Sequence, residues 1–255
     1  MAMAKDFDVA CQQYVDLLIR CVANTIYKDP PLSTWGDREF DAEKRATGRD
    51  WPSRAHTMIG AARLRNLADL VQRALDDRVP GDFIETGVWR GGACILIRGL
   101  LAAYGDPTRR VFVADSFTGL PSPNRDLYPL DDGMTLHLRR ELAISREQVR
   151  SNFDAYGLLD ERVIFIEGLF RDTLPELRDE RFAVLRLDGD MYESTMDSLT
   201  NLYDSLSIGG FVIIDDYGAI EACRKAVHDF RDHRCITEAI VEIDWTGVWW
   251  RKEHP

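Results

Sequence analysis

The sequence predicts an α/β fold with a mostly parallel sheet that helices cover on both faces. From residue 82 onward, short apolar runs rich in β-branched and aromatic residues alternate with amphipathic stretches of helical length. This alternation puts a helix between successive strands, so neighbouring strands run parallel. Glycine or acidic residues follow several of the runs directly, at the strand ends where open parallel sheets bind ligands.

The first 80 residues have a different pattern from the rest. Two stretches show helical apolar periodicity, and KDPPLSTWGD (28–37) interrupts the pattern between them with two prolines and a glycine. The polar residues that follow this break are predicted to be partly mobile. We therefore expect an N-terminal segment, 1–80, and a core, 81–255, within one structural domain. The predicted helices are 7–27 and 58–77, and the polar stretch is 38–56.

The core is predicted to continue as strand–helix units and to end in a hairpin. SIGG (207–210) is interpreted as the stop signal of the helix before it. The long loop that starts at residue 117 exceeds an ordinary connection and is a candidate functional segment. Two final strands flank Gly247 and predict an antiparallel hairpin at one sheet edge. The predicted order is strand 82–88, helix 92–104, strand 110–116, helix 145–156, strand 162–168, a weak helix 171–178, strand 182–188, helix 192–206, strand 211–217, helix 219–233, and strands 238–244 and 247–253.

Composition excludes some function classes. The 255 residues are 45% hydrophobic and 29% charged, which is ordinary for a globular protein with a real core. The net charge of −11 argues against a general binder of nucleic acid or anionic membrane. The five cysteines show no CxxC spacing, which favours reduced thiols in a cytoplasmic protein. We find neither an apolar signal region at the N-terminus nor an apolar run of the roughly 20 residues that span a bilayer.

A glycine-rich turn follows the first core strand. ETGVWRGG places Glu85, Gly87, Gly91 and Gly92 between that strand and the next helix, where glycines let the backbone approach a ligand. Position 89 is tryptophan, so the dinucleotide fingerprint GxGxxG fails. A looser loop suits S-adenosylmethionine (SAM), which carries no phosphate and whose sulfonium fits an acidic pocket.

An acidic residue, Asp115, ends the second core strand. In this position a carboxylate can accept hydrogen bonds from both ribose hydroxyls. The alternative is a tight turn with a helix-capping aspartate. Together with the glycine loop and Glu85, Asp115 favours a nucleoside site.

Four aspartates follow two neighbouring strands. RLDGDMY (186–192) supplies Asp188 and Asp190, and IIDDYG (213–218) supplies Asp215 and Asp216. Like charges repel and are costly to bury, so something positive is expected among them. Oxygen ligands without nearby histidine or cysteine suit a hard cation, Mg²⁺ before Ca²⁺ or Mn²⁺. Helix capping by solvated aspartates is the alternative, although capping hardly needs two per strand.

This arrangement suggests methylation of an alcohol. A sugar hydroxyl is a weak nucleophile, and a divalent cation lowers the pKa of an oxygen bound to it. Three carboxylates can hold the cation, and the fourth is then free to remove the proton. His137, in the loop segment MTLHLRR, is a second candidate base; a surface or substrate-contacting side chain is an equal interpretation.

These motifs together resemble the macrocin O-methyltransferase family, which comprises metal-dependent sugar O-methyltransferases of macrolide, aminocoumarin and related pathways. The matching stretches run almost end to end and include AHTMIGAARLRNL, GDFIETGVWRGGACI, VFVADSFTGLP, VLRLDGDMYESTMDSL and GGFVIIDDYGAIEACRKAVHDFR. The resemblance implies the class I SAM-methyltransferase fold, Rossmann-like, with a mostly parallel sheet of seven strands. It also implies SAM and Mg²⁺ as cofactors.

The resemblance assigns roles residue by residue. Asp188, Asp215 and Asp216 take the family's metal positions. Asp190 looks like the general base, although His137 matches the loop histidine that explains some relatives better. The SAM site that the resemblance implies comprises Thr57, Met58, Glu85, Thr86, Gly87, Trp89, Arg90, Gly91, Gly92, Asp115, Ser116, Gly168, Phe170 and Asp188.

The resemblance further implies a homodimer or larger homo-oligomer whose N-terminal segment closes over the site. Residues 28–56 and the loop 117–140 are expected to form the substrate lid. The expected substrate is a small-molecule glycoside or oligosaccharide, most simply a deoxysugar of a glycosylated antibiotic, and not a nucleic acid. The aromatic residues of the last hairpin, Trp245, Trp249 and Trp250, suggest either a sugar-stacking platform or, more often in such hairpins, packing.

Rival interpretations remain open on the sequence alone. The sugar could belong to a glycolipid or polysaccharide, or the enzyme could be a catechol-type O-methyltransferase with the same metal-and-diol logic. A two-metal phosphoesterase would also gather aspartates at strand ends, but it would not need the glycine loop or Asp115. A non-catalytic carbohydrate-binding protein would have no use for the acidic cluster.

Overall fold

The described residues form one α/β unit around a seven-stranded sheet. A computed structural model describes residues 2–32 and 38–255. Part of the predicted break at 28–37 therefore lies outside the described residues. Within the described chain the strand order is β3-β2-β1-β4-β5-β7-β6. The strands are β1 Asp82–Thr86, β2 Val111–Asp115, β3 Val163–Glu167, β4 Phe182–Leu187, β5 Leu206–Ile214, β6 Val241–Glu242 and β7 Val248–Arg251.

The predicted parallel core and closing hairpin are both confirmed. Strands β1 to β5 pair in parallel, whereas β7 pairs antiparallel with β5 and with β6. The helices are α1 Ala2–Val22, α2 Ala42–Thr47, α3 Gly60–Asp76, α4 Gly92–Ala103, α5 Arg146–Ala155, α6 Phe170–Thr173, α7 Tyr192–Leu202 and α8 Glu221–His233. Among the described residues, no helix is both long enough and apolar enough to span a bilayer.

Helices pack on both faces of the sheet. On one face, Leu18 of α1 and Leu67 of α3 share a buried apolar core with Phe83 of β1. On the other face, Leu199 of α7 and Val227 of α8 pack against the sheet in a second core. The N-terminal helices thus bury their apolar sides on the same sheet that carries the strand-end motifs.

The interpretation of SIGG as a helix stop is wrong. Helix α7 ends at Leu202, and SIGG lies inside β5, which begins at Leu206. The pairing of β5 with β4 is irregular in this stretch, and Gly209 has φ +87°. A bulge of this kind needs a residue that tolerates positive φ, so here the glycine allows β5 to bend within the sheet.

The polar stretch 38–56 contains structure that the sequence pattern did not predict. Helix α2 lies within it, and Asp41 caps this helix by accepting hydrogen bonds from the amides of Glu43 and Lys44. Arg45 of α2 is 1% exposed and donates to Asp29 and Asp50 at 2.8 and 2.9 Å. We call these three residues the Arg45 cluster.

Candidate active site

A cavity opens beyond the carboxyl ends of β1 to β5, where the sequence predicted ligand binding. Its walls come from both halves of the chain, because Gly48 and Trp51 of the N-terminal segment face the strand-end turns across it. Most of the residues predicted from the sequence line it: Thr57, Met58, Glu85, Gly87, Trp89, Asp115, Ser116, Gly168, Phe170, Asp188, Asp190, Asp215 and Asp216.

Other predicted residues of the glycine turn support the cavity from behind. Thr86 is fully buried, and its hydroxyl accepts a hydrogen bond from Ser198 at 3.2 Å. Arg90 donates to the carbonyls of Pro52 and Ala55, at 3.1 and 2.9 Å, and so ties the N-terminal segment to the turn. These two side chains hold neighbouring backbone in position and do not form the cavity wall.

The glycines of this turn are required by close backbone contacts. A Cβ on Gly87 would lie 1.8 Å from the carbonyl oxygen of Asp188, so the turns after β1 and β4 touch here. A Cβ on Gly92 would lie 2.4 Å from the carbonyl oxygen of His56, and Gly91 has φ +83°. The glycines therefore allow the turn after β1 to contact the turn after β4.

His137 lies apart from the acidic residues. It occupies a 3₁₀ turn, Leu136–Leu138. Of the three residues in this turn, Leu136 lines the cavity and His137 does not. Its Nδ1 atom is buried and has no hydrogen-bond partner among the described residues. The structure thus brings Asp190 together with the other aspartates but does not bring His137 to them.

Asp115 is fixed by the backbone around it. The amides of Val88 and Phe117 each donate to its carboxylate at 2.8 Å. Burial raises the pKa of Asp115, and these hydrogen bonds oppose that effect. The hydroxyl of Ser116 also lies 3.4 Å from Oδ1, so the carboxylate is held at the cavity wall from several sides.

Three aspartates converge at the ends of β4 and β5. Oxygen atoms of Asp188, Asp215 and Asp216 lie within 4.8 Å of one another. Burial, followed by the charge of neighbouring carboxylates, raises the pKa of Asp188 to about 6 and that of Asp216 well above its ordinary range. Oδ2 of Asp216 is buried without a hydrogen-bond partner among the described residues. The group is short of positive charge.

Asp190 is part of the same group. Its backbone has φ +59°, an uncommon conformation for a residue other than glycine. Burial, followed by the charges of Asp188 and Asp215, raises the pKa of Asp190 well above its usual value. The left-handed turn therefore brings a fourth carboxyl group into a crowded acidic site.

Two arginines that sequence reasoning missed lie among these acids. Arg186 of β4 is 1% exposed and donates to Glu85 at 2.5 Å, to Asp188 at 2.8 Å and to Asp215. Arg63 of α3 pairs with the other oxygen of Asp215. Arg186 had a signal, because it is a charged residue within an apolar strand. Arg63 had none, because only folding brings α3 to the end of β5.

We name the whole group the carboxylate centre. It contains five carboxyl groups and the two guanidinium groups of Arg63 and Arg186. Glu85 is the most enclosed of the acids, because Arg186 and the thiol of Cys94, at 2.9 Å, engage both of its oxygens. The acids are Glu85, Asp188, Asp190, Asp215 and Asp216.

Comparison with known proteins identifies the family. The model of the family described as macrocin-O-methyltransferase (TylF) matches residues 11–252, almost the whole chain. The chain belongs to this family. It is accordingly an S-adenosylmethionine-dependent O-methyltransferase.

Individual relatives within the macrocin O-methyltransferase family cover nearly the full chain. A Streptomyces olivaceus enzyme named 8-demethyl-8-(2,3-dimethoxy-alpha-L-rhamnosyl)-tetracenomycin-C 4'-O-methyltransferase is 55% identical, over 93% of this chain and 92% of its own length. Mycinamicin III 3''-O-methyltransferase from Micromonospora griseorubida is 52% identical, over 94% and 96%. The solved O-methyltransferase NovP superposes with a TM-score of 0.92 at 48% identity, over 96% of this chain and all of NovP. The predicted class I methyltransferase fold is confirmed.

The tryptophans of the last hairpin fall into two groups in this family member. Trp250 is fully buried, and Trp249 packs edge-on against Phe211, so both are packing residues. Trp245 is 41% exposed, lines the cavity and donates from Nε1 to the carbonyl of Thr47 at 2.8 Å. Trp245 thus retains the orientation and exposure that a binding surface needs.

Proposed function

We propose that this enzyme transfers the SAM methyl group to a sugar hydroxyl of a glycosylated natural product, with Mg²⁺ bound at the carboxylate centre. The names of the two relatives describe methylation of a rhamnosyl tetracenomycin and of mycinamicin III. The high identity over full length supports the same class of acceptor here. The observation that carries the metal part of the proposal is the unpaired Oδ2 atom of Asp216 among converging carboxylates.

The residues present fit a divalent cation. Asp188, Asp215 and Asp216 offer oxygen ligands only, the donor type that Mg²⁺ prefers. Both oxygens of Asp215 already accept from arginine, and each retains a second lone pair. A bound Mg²⁺ would supply positive charge and lower the pKa of a coordinating hydroxyl group.

Charge balance supports a cationic donor as well. The carboxylates of the centre outnumber its two guanidinium groups, and Arg63 also pairs with Asp244 at 3.1 Å, so ionised acids would leave a net negative charge among the described residues. Burying uncompensated charge costs several kcal/mol per ion. A divalent ion and a sulfonium are both positively charged, so the centre suits both ligands.

Asp190 is the proposed general base. It lines the cavity together with the three proposed metal ligands, whereas His137 does not line it. Burial and the charges of Asp188 and Asp215 raise the pKa of Asp190, which makes its carboxylate a stronger proton acceptor. In this mechanism Asp190 takes the proton from the acceptor hydroxyl as the oxygen attacks the methyl carbon.

The remaining cavity residues position the donor. Asp115 can accept from the ribose hydroxyls, and Gly87 lets the turn approach the amino-acid part of the donor closely. Thr57, Met58 and Phe170 complete the proposed donor walls. Displacement at a methyl carbon requires oxygen, carbon and sulfur in line, so positioning is the main contribution of these residues.

The acceptor is proposed to enter on the β5 side. There Trp51, Trp245 and Thr246 line the cavity beside Asp215 and Asp216. The guanidinium of Arg49 stacks on one face of Trp245, with its central carbon 4.2 Å from the ring centroid, and helps to fix the ring. Residues 28–56 and the loop 117–140 are accordingly proposed as the substrate lid, because Gly48 and Trp51 of the first and Gly119 and Leu136 of the second line the cavity.

Metal removal tests this function. In metal-free protein, Mg²⁺ at about 100 times its Kd should raise the free energy of unfolding by about 2.7 kcal/mol. Asp216→Asn should lose this increment, whereas Asp232→Asn, the same change on an exposed part of α8, should keep it. Methyl transfer to a rhamnosyl acceptor, followed as S-adenosylhomocysteine release, should stop with EDTA. Transfer that persists under chelation would refute the metal role.

Location and assembly are also proposals. The five cysteines are all unpaired, which suits a reducing cytoplasm. On α1, Val9 and Leu17 are 54% and 50% exposed, and an apolar helix surface of this kind suits a homo-oligomer. Light scattering of the intact chain would test the assembly.

A further inference from the structure

The cavity has a wall that none of the roles above uses, between the helices that follow β3 and β4. Because the strand order is β3-β2-β1-β4-β5, the turns after β3 and β5 lie at opposite ends of the cavity. Arg171 directly follows Phe170, which is proposed to bind the methyl donor. Its side chain lines the cavity together with those of Glu193 and Asp197 of α7. Because α7 follows β4, this wall lies between the turn after β3 and the turn that carries Asp188 and Asp190.

Glu193 is held firmly in this wall. Its backbone amide donates to Asp131 at 3.1 Å, and its Oε1 accepts from Arg171 at 2.8 Å. The residue is only 4% exposed. Arg171 therefore fixes the side chain of Glu193 at the edge of the cavity, and the long loop fixes its backbone.

Among the described residues, the second carboxylate oxygen of Glu193 has no hydrogen-bond partner. Oε2 is buried and accepts no hydrogen bond from any described residue. An unsatisfied buried carboxylate oxygen is costly, and it remains in folded proteins mainly where a ligand completes it. Asp197, one helical turn further along α7, adds a second acceptor to the same wall but no donor. The missing group is thus a hydrogen-bond donor.

We propose that Glu193 recognises the base of the methyl donor by accepting a hydrogen bond from its exocyclic amino group. The inference rests on the proposed function, in which the ribose lies at Asp115 and the base extends toward β3. Arg171 and Glu193 present a donor beside an acceptor, which complements the ring nitrogen and amino group of adenine. An oxopurine such as hypoxanthine presents the reverse pattern and is disfavoured.

Sugar hydroxyls of the acceptor are also hydrogen-bond donors. The pairing of Glu193 with Arg171 favours the base, because Arg171 directly follows Phe170 of the proposed donor site, whereas the acceptor is proposed to lie beside Asp215, Asp216 and Trp245. The two donors are separable by experiment, since only one of them belongs to the nucleoside.

Calorimetry with two nucleosides tests the inference. S-adenosylhomocysteine should bind the wild-type chain at least about tenfold more tightly than S-inosylhomocysteine, the value expected for one hydrogen bond to a charged group. Glu193→Gln should reduce this preference to within about threefold, because an amide can both donate and accept. Glu176→Gln, the same change at an exposed residue outside the cavity wall, should keep the full preference.

Each other outcome overturns the inference. Equal binding of the two nucleosides by the wild type, or an unchanged preference in Glu193→Gln, refutes base recognition. Unchanged nucleoside binding with a raised KM for the glycoside would assign Glu193 to the acceptor instead. If Glu193→Gln does not fold, the wild type alone decides, because the S-homocysteine conjugate of purine riboside, which only lacks the amino group, should bind about tenfold more weakly. If S-adenosylhomocysteine itself does not bind, the proposed function fails, and not merely this inference.

Discussion

Two buried charge clusters in this molecule are built from the same residue types, arginine and acidic residues, but differ in how fully they are hydrogen-bonded. In the Arg45 cluster, one guanidinium meets two aspartates and two backbone carbonyls, and every nitrogen of Arg45 is used. Asp29 accepts further hydrogen bonds from Asn24 and from the amide of Arg54. In the carboxylate centre, acids outnumber arginines and Oδ2 of Asp216 is unpaired among the described residues.

The difference teaches how to distinguish a structural cluster from a binding site. A buried charge is tolerated when its hydrogen-bonding capacity is filled, because desolvation is then compensated. The Arg45 cluster fills this capacity from within the chain and fixes the segment that leads to Thr57. The carboxylate centre leaves capacity open at the cavity, so its balance depends on what binds there.

The largest expected effect is a loss of activity without a loss of stability, at Asp190 of the carboxylate centre. Asp190→Asn should lower kcat by about 10²- to 10⁴-fold, because general bases contribute on this scale, while the free energy of unfolding should not fall. His137→Ala, measured in the same assay, should leave kcat within a few-fold of wild type. Full activity in Asp190→Asn, or its loss in His137→Ala, would reverse the choice of base.

The next largest effect is a loss of stability, at Arg45 of the Arg45 cluster. Arg45→Met should lower the free energy of unfolding by about 3–5 kcal/mol, because it leaves Asp29 and Asp50 buried without their cation. Denaturant unfolding measures this loss. Arg20→Met, on an exposed part of α1, should change stability by no more than about 0.5 kcal/mol. A loss below about 1 kcal/mol in Arg45→Met would mean that the cluster is not a structural anchor.

The sequence predicts the two clusters unequally well. Asp188, Asp215 and Asp216 are predictable, because the ends of neighbouring parallel strands must meet at one edge of the sheet. Arg63 and Arg45 are not, because each reaches its carboxylates across a fold that local periodicity does not encode. Even Arg186 shows only that something buried must pair with it, not which acids do so.

The glycines of SIGG also have a role that local sequence does not decide. In SIGG the residues allow either a helix stop or a bulged strand, since both use positive φ. The choice is made by pairing, because the amide of Gly209 donates to the carbonyl of Lys252 in the segment after β7, at 2.7 Å. Such long-range partners decide element boundaries, whereas the presence and order of the strands follow from apolar pattern alone.

The smallest effect sharpens the comparison through pH. Burial raises the pKa of Glu85 in the carboxylate centre to about 7, although Arg186 opposes the shift. Burial alone would also raise the pKa of Asp29 in the Arg45 cluster, but hydrogen bonds from Arg45 and the Arg54 amide outweigh it and lower that pKa. The two acids therefore make stability depend on pH in opposite directions.

For Glu85 the folded chain holds its proton more tightly than the unfolded chain, so stability is lost as pH rises from about 4.5 to about 7. For Asp29 the unfolded chain holds the proton more tightly, so its stabilisation is present above about pH 4 and is lost as pH falls through the lower folded value. In metal-free protein, Glu85→Gln should gain stability relative to wild type as pH rises, by up to about 3 kcal/mol for the shift from 4.5 to about 7. Asp29→Asn should be less stable than wild type at neutral pH, and this deficit should shrink below about pH 4. Glu242→Gln, on exposed β6, should follow the wild-type curve throughout. Burial raises the pKa of Asp50, the other acid of the Arg45 cluster, so the contrast concerns Asp29 and Glu85 alone. If Glu85→Gln and Asp29→Asn instead shift in the same direction, these two acids do not differ in the way their hydrogen bonds indicate.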